Sequence, residues 1–190
     1  MTRTGVYPGS FNPPTVAHLA IAEAACHQRG LARVDLAISV AALDKEHVSL
    51  PLLEHRIEVL ERTAASRDWL GVLVTEAQLI VDIADGYDLV VMGADKWHQV
   101  LDPRYYGDSA AARDEAFARL PDVAVAPRPP LEIPPERALV LPEELGEVSS
   151  SAVRDGTHHW MAPEAAAFDA DTGAWSDPTR YRTWLDARSD

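Results

Sequence analysis

Residues 5–19, Gly5-Val6-Tyr7-Pro8-Gly9-Ser10-Phe11-Asn12-Pro13-Pro14-Thr15-Val16-Ala17-His18-Leu19, constrain this chain more than any other stretch. Their order predicts a short apolar strand over Gly5 to Tyr7 and a turn at Pro8-Gly9. A helix then enters through Pro13-Pro14 and runs to about Arg29. Gly30 stands where such a helix stops, because glycine adopts the left-handed backbone that closes helix ends. A strand, a glycine turn and a helix start together make an anion site, since unpaired N–H groups and the positive dipole end point the same way. Ser10 adds a hydroxyl. Thr15 and His18 lie three apart and share one face of the first turn, where a histidine can approach a bound phosphate. Taken singly, Thr15 equally fits an ordinary helix cap, and His18 a partly buried helix residue.

Beyond this stretch, strands and helices alternate. Arg33 to Val40 reads as a second strand, followed by a loop with Asp44, Lys45, Glu46 and His47. Pro51 opens an amphipathic helix over Leu52 to Ser66, with Leu53, Ile57 and Leu60 at helical spacing. Trp69 to Val74 is a third strand, Glu76 to Ala84 a helix, and Leu89 to Met92 a short all-apolar strand of the kind covered on both faces. Gly93-Ala94-Asp95-Lys96 follows at its carboxyl end, the end where open α/β sheets bind ligands. A helix over Ala110 to Leu120 leads to a strand over Val123 to Ala126. A proline-rich connection spans 127–137, Ala138 to Leu141 forms a sixth strand, and a helix begins at Val148 to Arg154. The expected fold is therefore α/β: a Rossmann-like, doubly wound parallel sheet of five to six strands in one domain over 1–190. Residues 156–190 form a C-terminal helical extension, interrupted over Asp169 to Pro178.

Composition narrows the function classes. Seventeen Lys and Arg against 30 Asp and Glu give a formal charge of −13, which argues against non-specific nucleic-acid binding through clustered cations. Only two of the basic residues are lysines, Lys45 and Lys96. Lys45 falls in the loop after the second strand, and Lys96 directly follows Gly93-Ala94-Asp95. With no apolar run long enough to span a bilayer and no leader pattern, the expected location is cytoplasmic. The single cysteine, Cys26, reads as a buried inert thiol. His158-His159 is not assigned to a metal: adjacent histidines on a helix point apart, and no Cys or acidic partner is spaced to complete a site.

A second constellation, Ser149-Ser150-Ser151-x-x-Arg154, sets three hydroxyls at a helix start and a guanidinium fork one turn later. Both can contact phosphate oxygens. Read together, G-S-F-N-P-x-T-x-x-H-L and S-S-S-x-x-R resemble the two signatures of the nucleotidyltransferase superfamily, (H/T)xGH and [IV]SST-x-x-R. Ala17 stands in place of the frequent glycine, and Ser151 in place of the usual threonine. The Ser-Phe-Asn-Pro and Thr forms look most like the nicotinamide or nicotinate mononucleotide adenylyltransferases, particularly the eukaryotic-type ones.

That resemblance implies transfer of AMP from ATP to a pyridine mononucleotide with release of pyrophosphate, a step of NAD biosynthesis, with Mg²⁺ accompanying ATP. It implies nucleotide contacts at Gly9, Ser10, Phe11, Thr15, His18, Gly93, Asp95, Ser149, Ser150, Ser151 and Arg154. Of these, His18, Ser10 and Arg154, together with the loop lysine Lys45, would carry the chemistry. Relatives place a Trp downstream of Gly-x-Asp to stack on the pyridine; in this chain Trp97 comes earlier than that Trp, so Tyr105 or Tyr106, or else Trp97, would supply the ring and Arg128 a further acceptor contact. His55 and Arg56 read as structural. Because the acceptor phosphate is already ionised near neutral pH, no general base is required, and alignment and charge neutralisation remain. Tyr7-Pro8-Gly9-Ser10-Phe11 with Thr15 also resembles pantetheine-phosphate adenylyltransferase. The same chemistry on that or another phosphorylated acceptor, cytidylyltransferase-like enzymes included, is one alternative reading. A nucleotide-binding protein without turnover is another.

Overall fold

The computed structural model describes residues 2–43 and 50–188. Along the chain run β1 (Thr4–Pro8), α1 (Val16–Arg29), β2 (Arg33–Ser39), α2 (Val40–Leu43), α3 (Leu53–Ala65), β3 (Leu70–Thr75) and α4 (Ile80–Ile83). Next come β4 (Leu89–Gly93), α5 (Ala94–Leu101), α6 (Ala110–Ala118), β5 (Asp122–Ala126), α7 (Ser150–Arg154), α8 (Pro163–Thr172) and α9 (Pro178–Asp186). The five strands form one parallel sheet in the order β3-β2-β1-β4-β5. The chain therefore winds outward from β1 to β2 and β3 on one side and returns to β4 and β5 on the other. The reversal between β1 and β4 opens a crevice at their carboxyl ends, the topological switch point.

Alternation along the strands loads both faces of the sheet. Tyr7, Leu36 and Val91 point into a core shared with Ala22, Cys26 and Leu60 of α1 and α3. Their neighbours Val6, Ala37, Val90 and Met92 point into a second core with Trp97 and Val100 of α5. A third apolar cluster lies where α8 and α9 fold against Val59 of α3 and Val153 of α7. Its centre is Phe168, Trp175 and Tyr181. The Tyr181 hydroxyl ties this cluster to the start of α3, accepting from Leu52 N–H at 3.1 Å and meeting His55 Nδ1 at 2.5 Å.

Several expected elements differ. The sixth strand is absent: 138–141 makes a single parallel bridge, Val125 to Ala138. The reason is local. A 3-10 turn over Pro135–Arg137 precedes it and Pro142 follows. The amide and carbonyl of Val140 pair with the Gln28 side chain, at 2.9 and 2.8 Å, instead of with another strand. The helix expected over Glu76 to Ala84 shrinks to α4. A helix not expected from the sequence, α5, starts directly after Gly93. The break in the C-terminal extension is also narrower, because α8 continues through Asp169 to Thr172 and stops at Gly173.

α1 carries His18, so its termination matters to the site. Gly30 closes it at φ 64°, with its N–H donating to Cys26 O, and nothing stands within 4 Å of where a Cβ would lie. The cost of a side chain there is thus the backbone cost alone. Gly30→Ala should lower stability by about 1 kcal/mol, measured by urea denaturation; an unchanged midpoint would mean that the left-handed cap is dispensable.

Candidate active site

A cleft of about 500 Å³ opens at the carboxyl ends of β1, β4 and β5. Gly9, Ser10, Thr15 and His18 line one side, Gly93, Asp95 and Lys96 another, with Arg128 beyond β5 and Ser149, Ser150 and Ser151 at the start of α7. The two signatures, far apart in the chain, thus face one space.

The turn between β1 and α1 is held from behind. Gly9 N–H donates to Ala37 O at 3.0 Å. The Arg56 guanidinium donates to the Ser10 carbonyl, and that of Arg154 to the Asn12 carbonyl. Ser150 Oγ donates to Pro13 O at 2.7 Å, and Ala162 N–H to Pro14 O at 3.0 Å. The carbonyls of 10, 12, 13 and 14 are therefore occupied, while the N–H groups of Ser10, Phe11 and Asn12 bond to no described residue. A turn with four carbonyls occupied and three successive N–H groups open is suited to an anion. Phe11 takes the unfavourable left-handed backbone, φ 45°, a conformation that costs about 1–2 kcal/mol. Burial of its ring opposes that cost: it is 1% exposed, edge-on to Tyr7 at 5.8 Å and to His18 at 5.1 Å. A Cβ at Gly9 would come within 2.8 Å of that ring, so only glycine fits.

His18 is fixed by a capping box. Thr15 N–H donates to His18 Nδ1 at 3.0 Å, and Thr15 Oγ1 lies 2.8 Å from the same nitrogen and 3.4 Å from His18 N. A backbone N–H can only donate, so Nδ1 is the acceptor and the ring proton sits on Nε2. Burial, and secondarily the Arg128 charge, lower the imidazole pKa from 6.5 to about 4. The imidazole is therefore a neutral Nε2–H donor at neutral pH. Burial likewise pushes the Tyr7 phenol well above its usual range, so it too stays uncharged.

On the opposite wall, Arg128 pairs with Asp95 at 2.9 Å and donates to Val148 O at 3.2 Å, joining the ends of β4 and β5 to the approach to α7. Ser149 caps α7 by accepting from Ala152 N–H at 3.1 Å, and Ser151 Oγ lies 3.3 Å from Arg154.

Not every expected residue reaches the cleft. Arg154 is turned onto the loop carbonyl instead of projecting into the space, and Phe11 lies beneath the turn. Trp97 is 5% exposed and points into the sheet core with Ala94 and Val100, because these positions share the buried face of α5. Its ring meets Phe117 at 5.9 Å and the Arg137 guanidinium at 5.1 Å. Tyr105 is solvent-exposed and Tyr106 partly buried in a 3-10 turn over Pro103–Tyr106; neither lines the cleft. Lys45 lies outside the described residues. Three participants were not expected from the sequence. Arg56 is a buried cation, and Asn12 accepts from both Arg154 and the Trp175 indole. The wall from Leu141 to Gly146 is the third. Its only sequence signal is its position just before the serine run.

The tautomer and pKa of His18 give a direct test. An unfolded-chain imidazole takes up its proton near pH 6.5 and the native one near 4. This group therefore favours the native state above about pH 6.5, and that contribution is lost as pH falls toward about 4. Nitrogen-15 imidazole spectra should show the Nε2–H tautomer unchanged from about pH 8 to about pH 5. Titration of His18 near pH 6.5 would contradict the geometry.

Over 59 residues the chain is 41% identical to a probable nicotinate-nucleotide adenylyltransferase of Salinibacter ruber, a stretch that spans 31% of this chain and 30% of that relative. The fold matches that of Plasmodium falciparum nicotinic acid mononucleotide adenylyltransferase, solved in complex with APC, with a TM-score of 0.62. That match covers 90% of this chain and 96% of the other at 12% identity. The cytidylyltransferase-like family matches residues 6–156, which take in both signatures and every strand but the first residues of β1. The chain belongs to the cytidylyltransferase-like family of nucleotidyltransferases.

Proposed function

We propose that this protein transfers AMP from ATP to a pyridine mononucleotide, nicotinamide or nicotinate, releasing pyrophosphate, as a step of NAD biosynthesis. The observation that carries the transfer chemistry is the neutral His18 donor beside a turn in which the N–H groups of Ser10, Phe11 and Asn12 bond to no described residue. The pyridine acceptor rests on the names of the two similar proteins. An ionised oxygen of the acceptor phosphate attacks the α-phosphorus of ATP. A bond forms between that oxygen and phosphorus, and the bond from phosphorus to the pyrophosphate oxygen breaks, its electron pair leaving with pyrophosphate. No proton need be removed from the nucleophile. His18 Nε2–H donates to the α-phosphate oxygens as charge grows on them, and the Ser10 amide and hydroxyl hold the phosphates in line. Asp95 accepts from ribose hydroxyls, and the hydroxyls of Ser149 and Ser151 meet the triphosphate, while that of Ser150, whose proton goes to Pro13 O, shapes the turn beside it. Lys45 serves as a further phosphate contact.

Among the described residues no three His, Cys, Asp or Glu side chains stand together to hold a metal. Mg²⁺ is proposed to accompany ATP, and when bound with it would supply positive charge to offset that of the leaving pyrophosphate.

One observation favours a second reading. None of Trp97, Tyr105 and Tyr106 lines the cleft, so the ring expected to stack on a pyridine is not supplied by them. The same transfer to another phosphorylated acceptor, such as phosphopantetheine, fits the phosphate-handling side equally well. Pyrophosphate release from Mg-ATP across a panel of both mononucleotides and phosphopantetheine separates the two. Turnover with a pyridine mononucleotide supports the first reading, and turnover with phosphopantetheine alone replaces it.

His18→Ala should lower kcat about a hundred- to a thousandfold while leaving ATP affinity largely intact, since that donor acts where charge develops. Arg154→Ala should instead weaken ATP binding as well as turnover, because it frees the Asn12 carbonyl and loosens the turn. Near-normal turnover in His18→Ala would make His18 a structural helix residue.

A further inference from the structure

The C-terminal segment lies beyond the part of the chain that the family covers, residues 6–156, yet it reaches the phosphate turn twice. Ala162 N–H donates to Pro14 O, and Met161 pairs with Thr15 in an antiparallel bridge. Further on, the Trp175 indole Nε1–H donates to Asn12 Oδ1 at 2.8 Å, both side chains being more than nine-tenths buried. This contact spans 163 residues of sequence. Asn12 sits between Phe11, whose backbone is strained, and Pro13, and its own carbonyl is held by Arg154.

The loop that presents Trp175 is itself built firmly. Gly173 ends α8 at φ 76°, with its N–H on Asp169 O at 2.6 Å. A Cβ on Gly173 would lie 3.0 Å from Asp177 O, so the turn is closed around glycine. The buried Asp169 carboxylate accepts from the N–H groups of Trp175 and Ser176 at 2.7 and 2.9 Å. The Trp175 ring packs on Phe168 at 6.0 Å, edge to face. A carboxylate, a glycine cap and an aromatic contact thus fix one indole N–H, and that N–H is directed at one side chain of the phosphate turn.

We propose that Trp175 is a positioning residue for the phosphate turn, acting through Asn12, so that residues 161–175 are a working part of the nucleotide site. This rests on the reading that the turn holds ATP phosphates. If the Trp175 N–H is lost, a buried acceptor is left unsatisfied beside a strained residue, and the turn can relieve both by moving. A merely structural tryptophan would stabilise the whole domain without singling out this turn.

Trp175→Phe in the full chain keeps a ring against Phe168 and removes the donor. Amide exchange by NMR is expected to rise about tenfold at Gly9 and Ala162, whose bonds flank the turn, with the amides of β4 unchanged. ATP affinity by calorimetry should fall about tenfold, and Asn12→Ala should reproduce both effects and leave nothing further for Trp175→Phe to remove. Should Trp175→Phe fail to fold, Asn12→Ala alone must give the same local signature. Unchanged exchange at Gly9 and Ala162, a uniform rise that includes β4, or additive effects of the two substitutions would each overturn the proposal. If the wild-type protein binds no ATP but the local exchange signature appears, the Trp175–Asn12 coupling stands and the assignment of ATP to the turn fails.

Discussion

The withdrawal of four carbonyls from the turn between β1 and α1 is the constraint on which the rest of the site depends. A turn at a strand end normally presents acceptors and donors alike, and an anion meeting a carbonyl is repelled. In this turn Arg56, Arg154, Ser150 and Ala162 each take one carbonyl. They come from α3, α7 and the approach to α8, so the turn is shaped only when all three have packed. The second signature therefore has a role that its residue types do not announce. Ser150 and Arg154 support the first signature as well as facing or flanking the cleft, and substituting either changes two things at once.

A similar double use governs His18. The bond that caps α1 also sets the tautomer of the imidazole, because Thr15 N–H occupies Nδ1. In the proposed reaction helix capping and chemistry would be one interaction, with the threonine of the signature setting the donor that the histidine presents. Burial beside Tyr7 and Phe11 then keeps the ring neutral. A neutral donor is well matched to a phosphate transfer state: it stabilises growing charge without first forming a tight ion pair with ground-state ATP.

What could be read from the sequence followed from local rules. The order strand, glycine turn, helix gave the first signature its place. Gly30 marked the end of α1, and the alternation of apolar strands with helices implied a parallel sheet whose carboxyl edge holds the site. What could not be read depended on which face of an element meets which neighbour. Trp97 comes earlier after Gly93-Ala94-Asp95 than the Trp of the relatives it resembles, and because α5 begins at Ala94 its turn carries the indole into the core. Residues 138–141 have strand composition, yet the Gln28 side chain occupies their backbone groups. Arg56 reads as structural and is buried, but its guanidinium also holds the Ser10 carbonyl. Long-range partners of this kind leave no mark at either position alone.

A chain of formal charge −13 repels a polyphosphate at long range, so the recognition proposed for it must rest on interactions that win at short range. The placement of the cations answers this. Arg56 and Arg154 stand behind the turn, bonded to its carbonyls, and Arg128 stands at the rim, paired with Asp95. None is a loose surface charge. Arg56, 2% exposed, lies where solvent and salt screen it weakly, so its field and the oriented N–H groups act together over a few ångströms. Beyond about a Debye length of 8–10 Å at physiological salt, the acidic surface is screened and the repulsion fades. The acidic exterior and the proposed phosphate site are thus compatible because they operate over different distances. The turn's geometry, held by the protein behind it, decides the outcome where the two meet.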